Sequence, residues 1–371
     1  MHCPTPGARG TKAGSDRDCG DRKACARPSA IATSHPLEAA GKAEAEPAPG
    51  PHARIVWIDT LRGVGILIVV AGHVFTWPPL RHAIFLFHMP LFFFLSGFMF
   101  RPGPLRALAA RRVMTLLLPY ASFLLLAFAL YVIATGPSGP AAWRFAATLA
   151  YGGSALGGAL AIAWFVPCLF WTNLAYAAAA RRFGLPLHPV MIALAALALA
   201  LAYLLPPMAT PLGLGQVPFA FACFWLGAAW RQIEPPDGAW IPGALCFAAG
   251  TLWAPPIDMR YMIFGWPVVS VLVALGGIVT LLRAAQLMAR SRAAAAILSS
   301  FGRAALPILF LHMGFMVLFS QLPEPATYAA ALIGPCLAWL LMTRFHATRV
   351  LFLGQGEPPA WLAGRRRFTS G

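Results

Sequence analysis

The sequence predicts an all-α polytopic membrane protein of about ten transmembrane helices with both termini cytoplasmic. Three observations carry that expectation. The 371 residues are 59% hydrophobic and only 11% charged, with a mean hydropathy of +0.69, whereas a soluble domain carries about 25% charged residues. Several apolar stretches reach the ~20 residues that span a hydrocarbon core. The basic residues crowd into one alternate set of connecting segments, the bias that orients membrane proteins.

Residues 1–53 are rich in Ala, Pro, Gly and mixed charge with few large hydrophobes. Such a segment cannot bury enough surface to fold and is expected to be a disordered basic tail. No charged n-region and apolar h-region precede a cleavage site, so it does not read as a signal peptide. The membrane domain is expected over 54–345, with spans near 57–77, 83–100, 113–134, 161–180, 189–205, 213–231, 239–254, 262–283, 304–320 and 327–343. The fifth, an Ala-Leu run, and the seventh are short for a crossing. Residues 143–160 form a further apolar stretch broken by Gly152, Gly153, Gly157 and Gly158, read as re-entrant or interfacial. Residues 346–371 are read as a basic cytoplasmic tail.

Charge tests that count. Of the 28 lysines and arginines, 24 fall on the side of the termini. Only Arg81, Arg144 and Arg260 fall on the other, with Arg62 intramembrane. An odd number of spans would spoil the asymmetry. The same distribution argues against nucleic acid as the reason for a net charge of +16, since a nucleic-acid footprint gathers on one face of a soluble domain. Seven scattered cysteines without a C-x-x-C pair indicate neither a zinc site nor a disulfide framework, and no metal is expected. No Walker A loop, H-E-x-x-H or G-x-S-x-G elbow occurs. No internal repeat of the kind found in secondary transporters is visible.

Few ionisable side chains lie inside the spans: Asp59, Arg62 and His73 in the first, His88 in the second, His312 in the ninth. Eleven helical steps separate Arg62 from His73, about 20° in azimuth and about 16 Å in height. An intramembrane ionisable pair on one stripe is costly and marks a functional site. An imidazole can act as base and then acid near neutral pH. A guanidinium suits a phosphate or a developing oxyanion, and Asp59 can hold Arg62 through an i,i+3 pair. The bland alternatives are an interfacial Asp59–Arg62 pair that sets helix depth, histidines that merely bond across helices, and Arg111 and Arg112 as positive-inside anchors. Ser96-Gly97 permits close helix approach.

In order along the chain, several motifs resemble the membrane-bound acyltransferase-3 superfamily. Asp59-Thr60-Leu61-Arg62-Gly63 followed by His73 looks like its opening helix, an Arg or Lys, ten residues, then a His. Phe92-Phe93-Phe94-Leu95-Ser96-Gly97-Phe98 matches its second-helix F-F-x-L-S-G-F. Arg111-Arg112 ahead of Leu117-Leu118-Pro119-Tyr120 is similar to its third helix. Trp164-Phe165-Val166-Pro167-Cys168-Leu169-Phe170 is similar to its W-F-L-x-x-L-F segment, and Leu306-Pro307-Ile308-Leu309-Phe310-Leu311-His312 to its late helix, with Phe310 where tyrosine is usual. Phe87-His88-Met89-Pro90 most resembles the fucose 4-O-acetylase branch, in a stand-alone form without an SGNH domain.

The resemblance implies transfer of an acyl group, usually acetyl from acetyl-CoA, to a sugar hydroxyl of a glycan or its precursor at the inner membrane. It sets His73, Arg62 and Asp59 as catalytic. Arg62, Arg111 and Arg112 become contacts for the CoA donor, and His88, Ser96, Trp164 and His312 the substrate-binding set. The competing reading from the residues is a transporter or flippase of a glycan or acyl group with His73 as proton relay.

Overall fold

Helices stand at each of the ten expected positions in the computed structural model, which describes residues 56–136 and 139–357. The segment expected to be an N-terminal tail and the chain beyond residue 357 lie outside the described residues. α1 (Val56–Val74), α2 (Pro78–Phe85) and α3 (His88–Phe98) come first. α4 (Leu105–Arg112), a π-helical turn (Val113–Leu117) and α5 (Leu118–Thr135) run as one continuous stretch. α6 (Pro140–Tyr151) is followed by the short 3-10 turns Gly153–Ala155 and Gly158–Leu160. Then come α7 (Phe165–Phe183), α8 (Pro189–Leu204), α9 (Val217–Ile233), α10 (Trp240–Trp253) and α11 (Val269–Met288). α12 (Arg292–Arg303), α13 (Ala305–Leu318), α14 (Glu324–Met342) and α15 (His346–Leu353) complete the order.

Seven of these stretches are long and apolar enough to cross a bilayer, and eight if α12 and α13, bent by 72°, make one crossing. α8 is a shorter apolar helix. Residues with no polar function face outward: Leu125, Ile133 and Leu252 are 68%, 80% and 85% exposed. Apolar surface on that scale is stable against lipid rather than water. The stretch expected to be interrupted by its glycines is helical up to Tyr151 and stops at Gly152, whose φ of 65° ends the helix. The start of the segment assigned to the C-terminal tail is α15, held by the ring of Phe352 edge-on to Phe123 of α5.

Two glycine contacts fix the positions of the site-bearing helices. α1 packs closely along α12, where a Cβ on Gly63 would collide with the Leu298 carbonyl and one on Gly302 with that of Asp59. α3 and α9 approach in the same way, through Gly97 against Phe224 and Gly227 against Phe94. Only backbones without side chains meet that closely.

Prolines then interrupt regular α-helical hydrogen bonding at three places. Pro90 cannot donate to the Leu86 carbonyl, and α2 gives way to α3 at 86–87. Pro119 cannot donate to Thr115, and the chain there widens into the π-helical turn. Pro307 cannot donate to Arg303, and the 72° bend lies between Arg303 and Ala305. A missing N–H and a ring clash four residues back are the ordinary causes of such kinks.

Candidate functional site

The first helix carries the expected stripe. Asp59 and Arg62 form an i,i+3 ion pair at 3.6 Å, and Arg62 Nη2 also reaches Met99 Sδ at 3.1 Å. Arg62, Ile66 and Val69 line a cavity of about 300 Å³. Its other walls include Met89, Phe92 and Ser96 from α3, Arg112 and Thr115 at the π-helical turn, Phe165 and Leu169 from α7, and Arg303 at the bend. Three guanidinium groups from three helices therefore face one apolar cavity. Arg112, Thr115 and Leu116, three and four residues apart, share the helical face that forms this wall, at the start of the π-helical turn.

One turn beyond Val69, on the same face of α1, His73 lines a second cavity of about 210 Å³. Met89 lines both cavities. The ring of His73 lies 5.5 Å from that of His312 and 6.5 Å from that of His88, centroid to centroid. His88 opens α3 just after the break, and its Nδ1 donates to the Ile84 carbonyl at 2.9 Å. His312, fully buried in mid-α13, donates from Nδ1 to Ile308 and Leu309 at 2.8 and 3.0 Å. A carbonyl only accepts, so in each neutral ring Nδ1 carries the hydrogen and Nε2 keeps its lone pair. The Nε2 atoms of His73 and His312 are buried without a protein partner. A base-competent cluster of this kind can take and return a proton.

The far wall of the second cavity comes from the α10–α11 loop. The Asp258–Ile263 bridge closes that loop, Ile257 N–H donates to Phe85 O at 3.0 Å, and Gln216 Nε2 donates to Arg260 O at 3.0 Å. Arg260 Nη2 in turn donates to Leu156 O at 2.5 Å. Arg81, Trp164, Asp258, Arg260 and Tyr261 thereby join His73 and His88 around one space. Burial lifts the Asp258 carboxyl above the ordinary carboxylate range, while backbone hydrogen bonds and the charges of Arg260 and Arg81 pull it the other way.

The residues singled out in the sequence divide between the two cavities. Arg62, Arg112 and Ser96 line the first, Ser96 Oγ donating to Phe92 O at 2.9 Å. His73, His88 and Trp164 line the second. Asp59 pairs with Arg62, and His312 sits behind His73. Arg111 is exposed and lines neither. Phe310, in place of the usual tyrosine, stacks on Phe123 with centroids 4.5 Å apart.

Sequence reasoning missed Arg303, Met89, Asp258, Arg81 and Arg260. A signal for the last two was present: they are two of the three basic residues on the arginine-poor side, and charge that defies the orienting bias asks for another purpose. Among the described residues no group of three or more His, Cys, Asp or Glu is disposed to hold a metal ion.

A family model described as an acyltransferase domain, of the acyltransferase-3 type, matches residues 55–344. No curated protein and no solved structure matches the chain.

Proposed function

Because the chain belongs to the acyltransferase-3 family and is a membrane acyltransferase by that membership, we propose that it transfers an acetyl group from acetyl-CoA to a sugar hydroxyl of a cell-surface glycan or its precursor. Ten crossings, cytoplasmic termini and an inner-membrane location belong to the same proposal, as does the kinship with the fucose 4-O-acetylase branch. One observation carries it. A cavity faced by guanidinium groups and a cavity holding histidines lie in succession along one face of α1 and share Met89.

In this reading the phosphates of the donor lie by Arg62, Arg112 and Arg303, where charge-assisted hydrogen bonds hold them. The pantetheine arm runs along Ile66 and Val69 and brings the thioester past Met89 to His73, about 16 Å up the helix. The acceptor sugar enters the second cavity. His73 Nε2 takes the proton of the hydroxyl as its oxygen attacks the thioester carbonyl. The tetrahedral intermediate collapses with cleavage of the C–S bond, and the imidazolium returns the proton to the departing thiolate. The ring of His312, with its own buried Nε2, lies beside His73 as a second proton acceptor. Holding both reactants in one dry site supplies much of the rate through positioning.

The test is release of free CoA thiol by the purified protein in liposomes, given acetyl-CoA and an extract of the host's surface glycans. His73→Ala is expected to lower glycan-dependent release by about 10²–10⁴-fold, the usual contribution of a general base. Undiminished release in folded His73→Ala would remove His73 from the mechanism. Release absent from folded wild type with active acceptor extract would favour transport.

A further inference from the structure

The second cavity holds more positive charge than a neutral sugar needs. Arg81 and Arg260 both line it, and a single carboxylate, Asp258, is there to balance them. Asp258 forms no ion pair with either guanidinium within salt-bridge distance. The Arg81 guanidinium, beside the ring of Phe85 at 5.6 Å, has no hydrogen-bond or ion-pair partner among the described residues. Arg260 is half-buried over the ring of Tyr261 at 4.8 Å. It spends Nη2 on Leu156 O, while its buried Nε has no partner. The loop that carries it is tied down at Phe85, Leu156 and Gln216. A desolvated N–H of a cation is costly unless an acceptor meets it, and the residue that carries this one lines the cavity that contains His73.

We propose that the acceptor bears an anionic group, a carboxylate or a phosphate ester, that sits between Arg81 and Arg260 while a neighbouring hydroxyl of the same sugar faces His73. This deepens the functional reading and rests on it for the identity of the cavity as an acceptor site. The anion supplies the countercharge that one carboxylate leaves unmet beside two guanidinia, and the planar Arg260 group suits either oxyanion. Neutral sugars lose the charge interaction at both guanidinia. Charge thus selects the acceptor before stereochemistry does.

Protection of His73 from carbethoxylation by diethyl pyrocarbonate tests this without turnover. The full-length protein in nanodiscs is treated at constant ionic strength, and modification of the His73 peptide is followed by mass spectrometry. Three sugars are compared at high millimolar concentration: methyl β-D-glucuronide, glucose 1-phosphate and methyl β-D-glucoside. At least one anionic sugar is expected to protect His73 at about tenfold lower concentration than the glucoside, the worth of roughly one charge-assisted hydrogen bond. Which one protects separates a carboxylate-bearing from a phosphate-bearing acceptor.

Arg81→Gln, at an exposed position with no partner to orphan, is expected to erase most of that preference. Arg260→Lys, which keeps the charge but loses the fork, is expected to weaken it. Equal protection by all three sugars, protection by neither anion, or a preference unchanged in Arg81→Gln overturns the proposal. Thiol release from acetyl-CoA is measured in parallel. Charge-selective protection without thiol release would leave the anionic site standing and remove the acyl-transfer reading, and the reverse result would do the opposite.

Discussion

Arg111 and Arg112 are adjacent, carry the same charge and belong to the same motif, yet the structure separates them. Arg112 is half-buried and lines the cavity with Arg62 and Arg303; Arg111 is exposed and does not. Arg112 has no acidic partner within ion-pair distance among the described residues, and its Nε is buried without a hydrogen-bond acceptor. Replacing it with alanine therefore strands no buried carboxylate and leaves the fold intact.

On the proposed placement of the donor, Arg112→Ala removes a charge-assisted hydrogen bond to a phosphate, about 1.5–3 kcal/mol, or about 10- to 150-fold in affinity. Arg111 offers only a screened charge at the surface, so Arg111→Ala is expected to change affinity by less than about threefold. The assay is KM for acetyl-CoA in the thiol-release reaction, with kcat recorded beside it. The two variants have the same net charge, so a general electrostatic effect would act on both. Equal shifts in KM would refute the argument from cavity lining, as would a larger shift in Arg111→Ala.

Further outcomes follow from other parts of the molecule. Gly63→Val and Gly302→Val each drive a side chain into a facing carbonyl and are expected to cost about 1–3 kcal/mol or more. Gly157→Val, which meets nothing within 4 Å, is expected to leave the thermal midpoint unchanged. Because an imidazole accepts a proton only when neutral, kcat is expected to fall as pH drops, and a kcat that rises on acidification would exclude His73 as base. Asp258 contributes in the opposite sense to a paired carboxylate. Its carboxyl is raised in the folded protein, so the folded state binds that proton more readily than the unfolded chain, whose value is about 3.9. Its contribution to stability is fully present below that unfolded value and is lost as pH rises through the raised one. Asp258→Asn is expected to flatten that part of the profile of thermal midpoint against pH; an unaltered slope would show that the carboxyl is solvated.

How much of this was legible in the chain depended on the range of the interaction involved. Helix positions were readable because an apolar run of about twenty residues reports on lipid without reference to the rest of the fold. The relation of Arg62 to His73 was readable for a similar reason: both lie on one helix, and its period sets their azimuth. That His73 and His88 could share a depth followed from two spans joined by a short turn. The approach of Arg303 to Arg62 was not readable. It depends on α12 lying against α1 at Gly63 and Gly302, a contact between segments more than two hundred residues apart. Nor could the sequence place the breaks. Pro90, Pro119 and Pro307 were visible, but a proline near a helix start can begin a helix as readily as bend one.

Met89 has a consequence for the membrane as a whole. The two cavities follow one another along α1, and the buried side chain of Met89 forms part of the wall of both. An unobstructed passage there would conduct protons and small ions and drain the electrochemical gradient of the cell. A methionine side chain is flexible enough to yield to a slender acyl thioester, yet it offers a hydrated ion no oxygen ligand in exchange for its water. On the proposed route of the acyl thioester, the same residue is thus also the electrical insulation of the site.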